Sequence, residues 1–268
     1  MEAFELLGFF GAFMVGLILG LIGSGGSILS VPILVYLFGI NPVTATAYSL
    51  FIVGSTSLIG SIKNLREKLI NYTTTLLFSI SAVITVYLTR KYFIQMIPDT
   101  IINSDLIFLS KNQLIMFLFS ILMLVAGFLM IKKTPKTIVG LKQTKTIAPN
   151  KFLIFAEGSL IGFLTGLVGA GGGFIIIPIL VILSNLRMKA AIATSLAIIS
   201  LKSLIGFTGD VQNLEIDWVF LLSFTLISII GIFIGQMFYQ KVPENKLKMI
   251  FGLFVIFIGF TILFIEFT

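Results

Sequence analysis

The chain has 268 residues, of which 57% are hydrophobic and 11% charged, whereas a soluble domain carries about 25% charged residues; too little polarity remains for a water-facing surface. Cysteine and histidine are both absent, which excludes disulfides, Cys/His metal centres, His-ligated haem and Ser–His or Cys–His catalytic pairs. The net charge of +7 reads as the basic bias of cytoplasmic loops in membrane proteins and not as affinity for nucleic acid.

In chain order, five apolar segments fall at about 4–22, 27–39, 42–63, 72–89 and 113–131, and five more at about 152–168, 174–185, 189–209, 217–238 and 248–266. The runs are continuous, which favours helices over the short alternating strands of a membrane β-barrel. The first segment carries Glu2 and Glu5 in place of a basic flank, so it reads as a span and not a cleaved signal peptide. The second segment of each set is too short to cross a bilayer at about 1.5 Å per residue. Each follows a glycine cluster that interrupts a helix, and each is expected to be a half-helix returning from within the membrane.

The two sets are copies. Residues 16–60 align without gaps on residues 162–206, with identity at 20 of the 45 positions, and the glycines align with the rest, which shared apolar composition does not explain. Gly20-Leu21-Ile22-Gly23-Ser24-Gly25-Gly26 with Pro32 matches Gly166-Leu167-Val168-Gly169-Ala170-Gly171-Gly172 with Pro178. Further on, Ser49-Leu50 matches Ser195-Leu196, and Ser57-Leu58-Ile59-Gly60 matches Ser203-Leu204-Ile205-Gly206. The expected architecture is an all-α integral membrane protein with eight full transmembrane helices and two re-entrant half-helices. Residues 1–131 form repeat one, 132–150 a basic linker and 151–268 repeat two.

Charge sets the orientation. Lys132, Lys133, Lys136, Lys142 and Lys145 place the linker in the cytoplasm. Counting outward puts Lys63, Arg66, Lys68, Arg187, Lys189, Lys241, Lys246 and Lys248 inside as well. Glu2, Glu5, Asp210, Glu215, Asp217 and Glu266 fall outside, beside a mixed loop at 90–112 that includes Arg90 and Lys91. Both termini are then outside. The repeats have opposite orientations, a plan of secondary transporters that bind substrate at the midplane.

The stretches Gly20–Pro32 and Gly162–Pro178, with Ala193-Thr194-Ser195-Leu196 and Gly206-Phe207-Thr208-Gly209-Asp210, resemble the paired glycine-rich motifs of the TauE/SafE family of sulfite exporters, also called toluene-sulfonate uptake permeases. The first copy departs by carrying Ser24 and Ser27 where the second has Ala170 and Gly173. The resemblance implies an eight-span transporter of sulfite, sulfonates or other small sulfur-containing or organic anions.

The residues support an anion independently. Half-helices starting near Ser27 and Gly173 present unsatisfied N–H groups and roughly half a positive charge each. Opposed at mid-membrane, the two ends favour an oxyanion. Gly23, Ser24, Gly25, Gly26 and Ser27 with Gly169, Ala170, Gly171, Gly172 and Gly173 are therefore the candidate binding backbone. Gly16, Gly20, Gly162 and Gly166 fit close helix packing instead. A phosphate loop is excluded because neither cluster is followed by Lys-Ser or Lys-Thr.

Five side chains join the candidates. Lys202 lies within a span and is either an anion ligand or a snorkelling lysine. Ser49 and Ser195 are matched hydroxyls that bind the anion or bond their own backbone, and Thr194 adds a neighbouring donor. Glu157 is a candidate carrier of a coupling proton, or an interfacial acid near the cytoplasmic lysines. Asp210 reads as a loop residue. The expected function is secondary transport of a small anion by alternating access across a prokaryotic inner membrane, with no cofactor or metal and no enzymatic activity. An anion channel, a membrane enzyme and an assembly subunit are the alternatives.

Overall fold

A computed structural model of the chain describes residues 2–23, 26–104, 107–131, 151–169, 171–182, 186, 188–238 and 244–267. The linker 132–150, Ser24, Gly25 and Ala170 lie outside the described residues. Repeat one contains α1 (Glu2–Ile22), α2 (Ser27–Pro32) continued by a π-helical turn at Ile33–Leu37, α3 (Pro42–Arg66), and α4 (Tyr72–Leu88). A second π-helical stretch at Thr89–Phe93 extends α4 into the single turn α5 (Ile94–Met96). The strands β1 (Thr100–Ser104) and β2 (Ile107–Ser110) then pair antiparallel, with Asn103 opposite Phe108, before α6 (Lys111–Ile131). Repeat two contains α7 (Lys151–Val168), α8 (Gly173–Ile182), α9 (Met188–Thr208), α10 (Trp218–Phe238) and α11 (Glu244–Phe267). Among the described residues, the β-ribbon has no counterpart in the second half. It adds a small strand element to a fold expected to be wholly helical.

Among the described residues, six helices are long and apolar enough to cross a membrane: α1, α3, α4 with its extension to Met96, α6, α9 and α10. The apolar stretches of α7 and α11, Phe152–Val168 and Gly252–Glu266, are shorter. Leu160, Leu226, Phe257 and Phe264 are among many large apolar side chains left exposed on the bundle. Such a surface suits hydrocarbon and not water.

The expected turn-back of the first half-helix is present. A methyl on Gly26 would meet the Val15 carbonyl and Leu19, one on Gly11 would meet Ile33, and one on Gly8 would meet the Phe38 ring. The α2 segment thus runs back along α1. Gly23 takes φ +79° and Gly169 φ +68°, left-handed values that glycine adopts without steric cost. These matched positions end α1 and α7 and free the chain to reverse.

Glycines also fix how the long helices pair. Gly16 and Gly20 sit against the backbone of Ser228, Ile232 and Gly235, and Gly231 and Gly235 sit against that of Phe13 and Leu17. Residue numbers rise together, so α1 and α10 run parallel. Gly158, Gly162 and Gly166 climb in the same sense along Phe78, Ala82 and Thr89, so α4 and α7 are parallel too. By contrast, Gly54 lies on Leu204 while Gly206 approaches Leu50, and Gly127 lies on Gly252 and Ile256 while Gly259 approaches Met123 and Leu124. The equivalent helices α3 and α9, and likewise α6 and α11, are therefore antiparallel.

The crossings have little tolerance for added volume, because the neighbours are main-chain atoms that cannot change rotamer. We expect Gly16→Ala to lower the stability of the detergent-solubilised protein by about 1–3 kcal/mol and Gly259→Ala, which meets only side chains, to cost less. Thermal unfolding of both variants checks the order.

Candidate anion site

The starts of the two half-helices come together. A methyl on Gly171 would touch the Ser27 side chain at 3.2 Å and the Val53 side chain, and one on Gly172 would meet Thr165 and lie 3.2 Å from Lys202 Nζ. Gly171 and Gly172 hold φ +61° and +66°, so this turn requires left-handed backbone twice in succession. Gly173 then opens α8, a ten-residue helix whose first N–H groups have no partner within the helix.

Lys202 is fully buried, which removes the snorkelling alternative. Its ammonium donates to Thr165 Oγ1 at 2.6 Å, and the described residues supply no carboxylate to it. A lone ammonium at membrane depth is costly, and the hydroxyl satisfies one of its three donors. The matched residue of repeat one, Thr56, bonds its own helix at Ile52 O.

The serines and Thr194 divide. Ser49 shares a 2.6 Å hydrogen bond with Ser30 of α2, and Ser30 also donates to Ser27 O, so these hydroxyls tie the half-helix to α3. Ser195 donates to Ile192 O at 2.8 Å and reaches Gly23 O at 3.4 Å. Thr194 accepts the N–H of Asn71, the residue that caps α4. Its match Tyr48 likewise accepts the N–H of Asp217, whose carboxylate caps α10. This pair of contacts joins the two halves of the chain at the starts of α4 and α10. Gly26, with its backbone in the ordinary helical region and its free face filled by α1, serves packing.

Arg90 is not the loop residue that its sequence position suggested, and Asp210, though it lies in the turn that follows α9, is not exposed. Because α4 continues past Leu88 through the π-helical stretch, Arg90 falls inside the bundle with no exposed surface, and Asp210 is equally buried. Arg90 Nε lies 2.9 Å from Asp210 Oδ2, and the two terminal nitrogens donate to Thr46 Oγ1 at 3.1 Å. The Nε–H is not well aimed at the carboxylate, so charge rather than hydrogen-bond geometry holds this contact. Thr46 in turn packs on Gly169, which sets the ion pair beside the second glycine cluster. At the opposite end, the residues matched to Arg90 and Asp210 are Gln236 and Asn64, whose amides both donate to Gly60 O, at 2.7 and 3.4 Å. The sequence held the signal for Arg90: carried past residue 60, the repeat alignment pairs it with Gln236, within a long apolar segment.

Glu157 sits on α7 between Ile154 and Ile161, both buried in a cluster with Phe78, Leu180, Ala191 and Ile198. Its two carboxyl oxygens are shielded and unpartnered. Among the described residues, no group of three or more His, Cys, Asp or Glu side chains forms a metal site.

Removing one member of a buried ion pair leaves the other uncompensated, at a cost of about 3–5 kcal/mol. We expect Asp210→Ala to destabilise the protein by roughly that amount. The double variant Arg90→Met/Asp210→Leu should recover most of it, and a double-mutant cycle on thermal unfolding measures the coupling.

Known proteins bear on the family of this chain. A probable membrane transporter protein of Xylella fastidiosa (strain 9a5c) is 27% identical over 246 residues, covering 91% of this chain and 88% of its own. The probable membrane transporter protein YunE of Bacillus subtilis (strain 168) is 28% identical over 267 residues, covering 92% and 94%. The archaeal probable membrane transporter protein MJ0441 of Methanocaldococcus jannaschii is 28% identical over 199 residues, covering 72% and 67%. No solved structure matches the chain. The sequence profile of the sulfite exporter TauE/SafE family matches residues 8–262, and the chain, a multi-pass membrane transporter, belongs to that family.

Proposed function

We propose that this transporter carries a small oxyanion, of the sulfite, organosulfonate or small carboxylate class, by alternating access. The observation that carries the reading is Lys202: a buried ammonium on a hydroxyl, beside the left-handed glycine turn that opens α8. Arg90 and Asp210 cancel each other, so Lys202 leaves the region with one net positive charge for the anion to balance. The free N–H groups at the start of α8 and its dipole add to the attraction. The binding set in this reading is Gly171, Gly172, Gly173, Thr165 and Lys202, faced by Ser27. Gly23, Ser49 and Ser195 hold the half-helix of repeat one in register with it. A carrier is favoured over a channel because the half-helix starts are packed against each other.

The repeats in this proposal are inverted, with eight spans and two half-helices. The antiparallel packing of α3 on α9 and α6 on α11, together with parallel α1/α10 and α4/α7, supports a twofold axis in the membrane plane. The reading places the linker in the cytoplasm and the termini outside. The absence of native cysteine makes this directly testable: single cysteines replacing Lys142 and Thr268 should react with impermeant thiol reagents from opposite faces. Labelling of both from one face contradicts the topology.

The anion reading is tested on the purified protein by ligand-dependent thermal shifts with sulfite, sulfate, toluene-sulfonate and acetate. At least one should stabilise it. A charge-assisted hydrogen bond contributes about 1.5–3 kcal/mol, so Lys202→Met should weaken that ligand roughly 10- to 100-fold. Unchanged affinity in the variant would remove Lys202 from the site.

A further inference from the structure

Glu157, half-buried on α7, is the other titratable group of the bundle for which the described residues supply no neighbouring counter-charge. Helical spacing puts it one turn from Ile154 and from Ile161, both of which are buried. The next residue, Gly158, presses on the Phe78 carbonyl and Ser81 Oγ of α4, and both Glu157 oxygens are sealed from solvent without a hydrogen-bond partner. Among the described residues, the stretches that pack around this part of α7 offer no counter-charge. Thr74–Ala82 of α4, Leu114–Ile131 of α6, Gly173–Ile182 of α8 and 190–199 of α9 contain no ionisable side chain. Arg90 and Lys91, on the π-helical stretch against the far end of α7, are engaged by Asp210 and Thr46 and by Tyr87 respectively. An ionised carboxylate in such a place costs several kcal/mol, and neutralisation by a proton removes that cost.

We propose that Glu157 is the proton site of this transporter, and that one proton crosses with each monovalent anion. This deepens the anion reading and rests on it for the coupling, though not for the proton site itself. Charge balance explains the direction. Glu157 and Thr165 lie on one helix eight residues apart, about 12 Å at the α-helical rise, so α7 carries both the proton group and the hydroxyl that holds Lys202. With neither proton nor anion aboard, the Glu157 carboxylate balances the Lys202 ammonium. With both aboard, the anion balances Lys202 and Glu157 is neutral. Each half-loaded form has one net charge inside the membrane, where an uncompensated charge is costly. The two balanced forms are the ones that change conformation readily, which makes the process symport. The proton is taken from water on the side of higher proton concentration when Glu157 is exposed there. It is returned to water on the other side together with the anion.

Two measurements on full-length protein test this. Infrared spectroscopy as the pH is lowered from neutral to mildly acidic should show the growth of a protonated-carboxyl C=O stretch that is missing from Glu157→Gln; no such difference between the two proteins overturns the proton site whatever the substrate. In proteoliposomes, an inward proton gradient should drive accumulation of radiolabelled toluene-sulfonate, which keeps a single negative charge across the pH range used. Glu157→Gln should bind the anion with unchanged affinity and lose gradient-driven accumulation, while Glu157→Asp should retain part of it. Accumulation that persists in Glu157→Gln, or that ignores the gradient in the unaltered protein, overturns the coupling. A protein that shows the infrared band but binds none of the anions sinks the anion reading and the symport with it, leaving the protonated Glu157 standing.

Discussion

Backbone approaching backbone is the constraint on which the rest of this bundle depends. Hydrocarbon gives helices no hydrophobic reason to associate, so association rests on close packing. Here the closest approaches are made at glycines. Gly16, Gly20, Gly231 and Gly235 bring α1 and α10 together, and Gly158 and Gly162 bring α7 to α4. With those two pairs fixed, α3 and α9 are left to cross at the centre, and the half-helices have space to fold back beside them. The lysine, arginine and acids inside the bundle are tolerable only because this frame shields them from lipid.

On the proposed twofold arrangement the chain places a one-sided set of charges. Lys202 answers to Thr56, Arg90 to Gln236 and Asp210 to Asn64, so each of these three charged residues is matched by a neutral polar one in the other half. The neutral members bond locally: Thr56 to its own helix, Gln236 and Asn64 to a single carbonyl. Symmetry of fold therefore does not extend to symmetry of electrostatics. The glycine turn before α8 has a cation at each side, while the turn before α2 is accompanied by serine hydroxyls. In the proposed site the anion belongs mainly to repeat two, with repeat one supplying the opposing wall.

Much of this was legible in the sequence because the repeat is close. The aligned glycines located both chain reversals, and the short segments after them located the half-helices. The depth of Lys202 could be counted from the loops. What the sequence hid were contacts between residues far apart in it. Arg90 looked like the start of a charged loop because a π-helical stretch carries α4 past its last apolar run. Asp210 looked solvated because its partner lies 120 residues away. Gly26 belonged by composition to a ligand-binding cluster, yet its free face is taken by α1, a neighbour that only the folded turn reveals. Thr194 sat next to a matched serine, and its role became clear only with Tyr48 as its counterpart at the other helix start.

The claim that matters most is that the anion sits between Lys202 and the glycine turn of α8. A structure determined with selenate or a bromo-substituted benzenesulfonate, anions located by their anomalous scattering, addresses it directly. The account predicts one scatterer in the membrane interior, with oxygens within hydrogen-bond reach of Lys202 Nζ and of the backbone N–H groups at Gly172 and Gly173. A scatterer bound elsewhere in the bundle, with Lys202 still held by Thr165 alone, would contradict it.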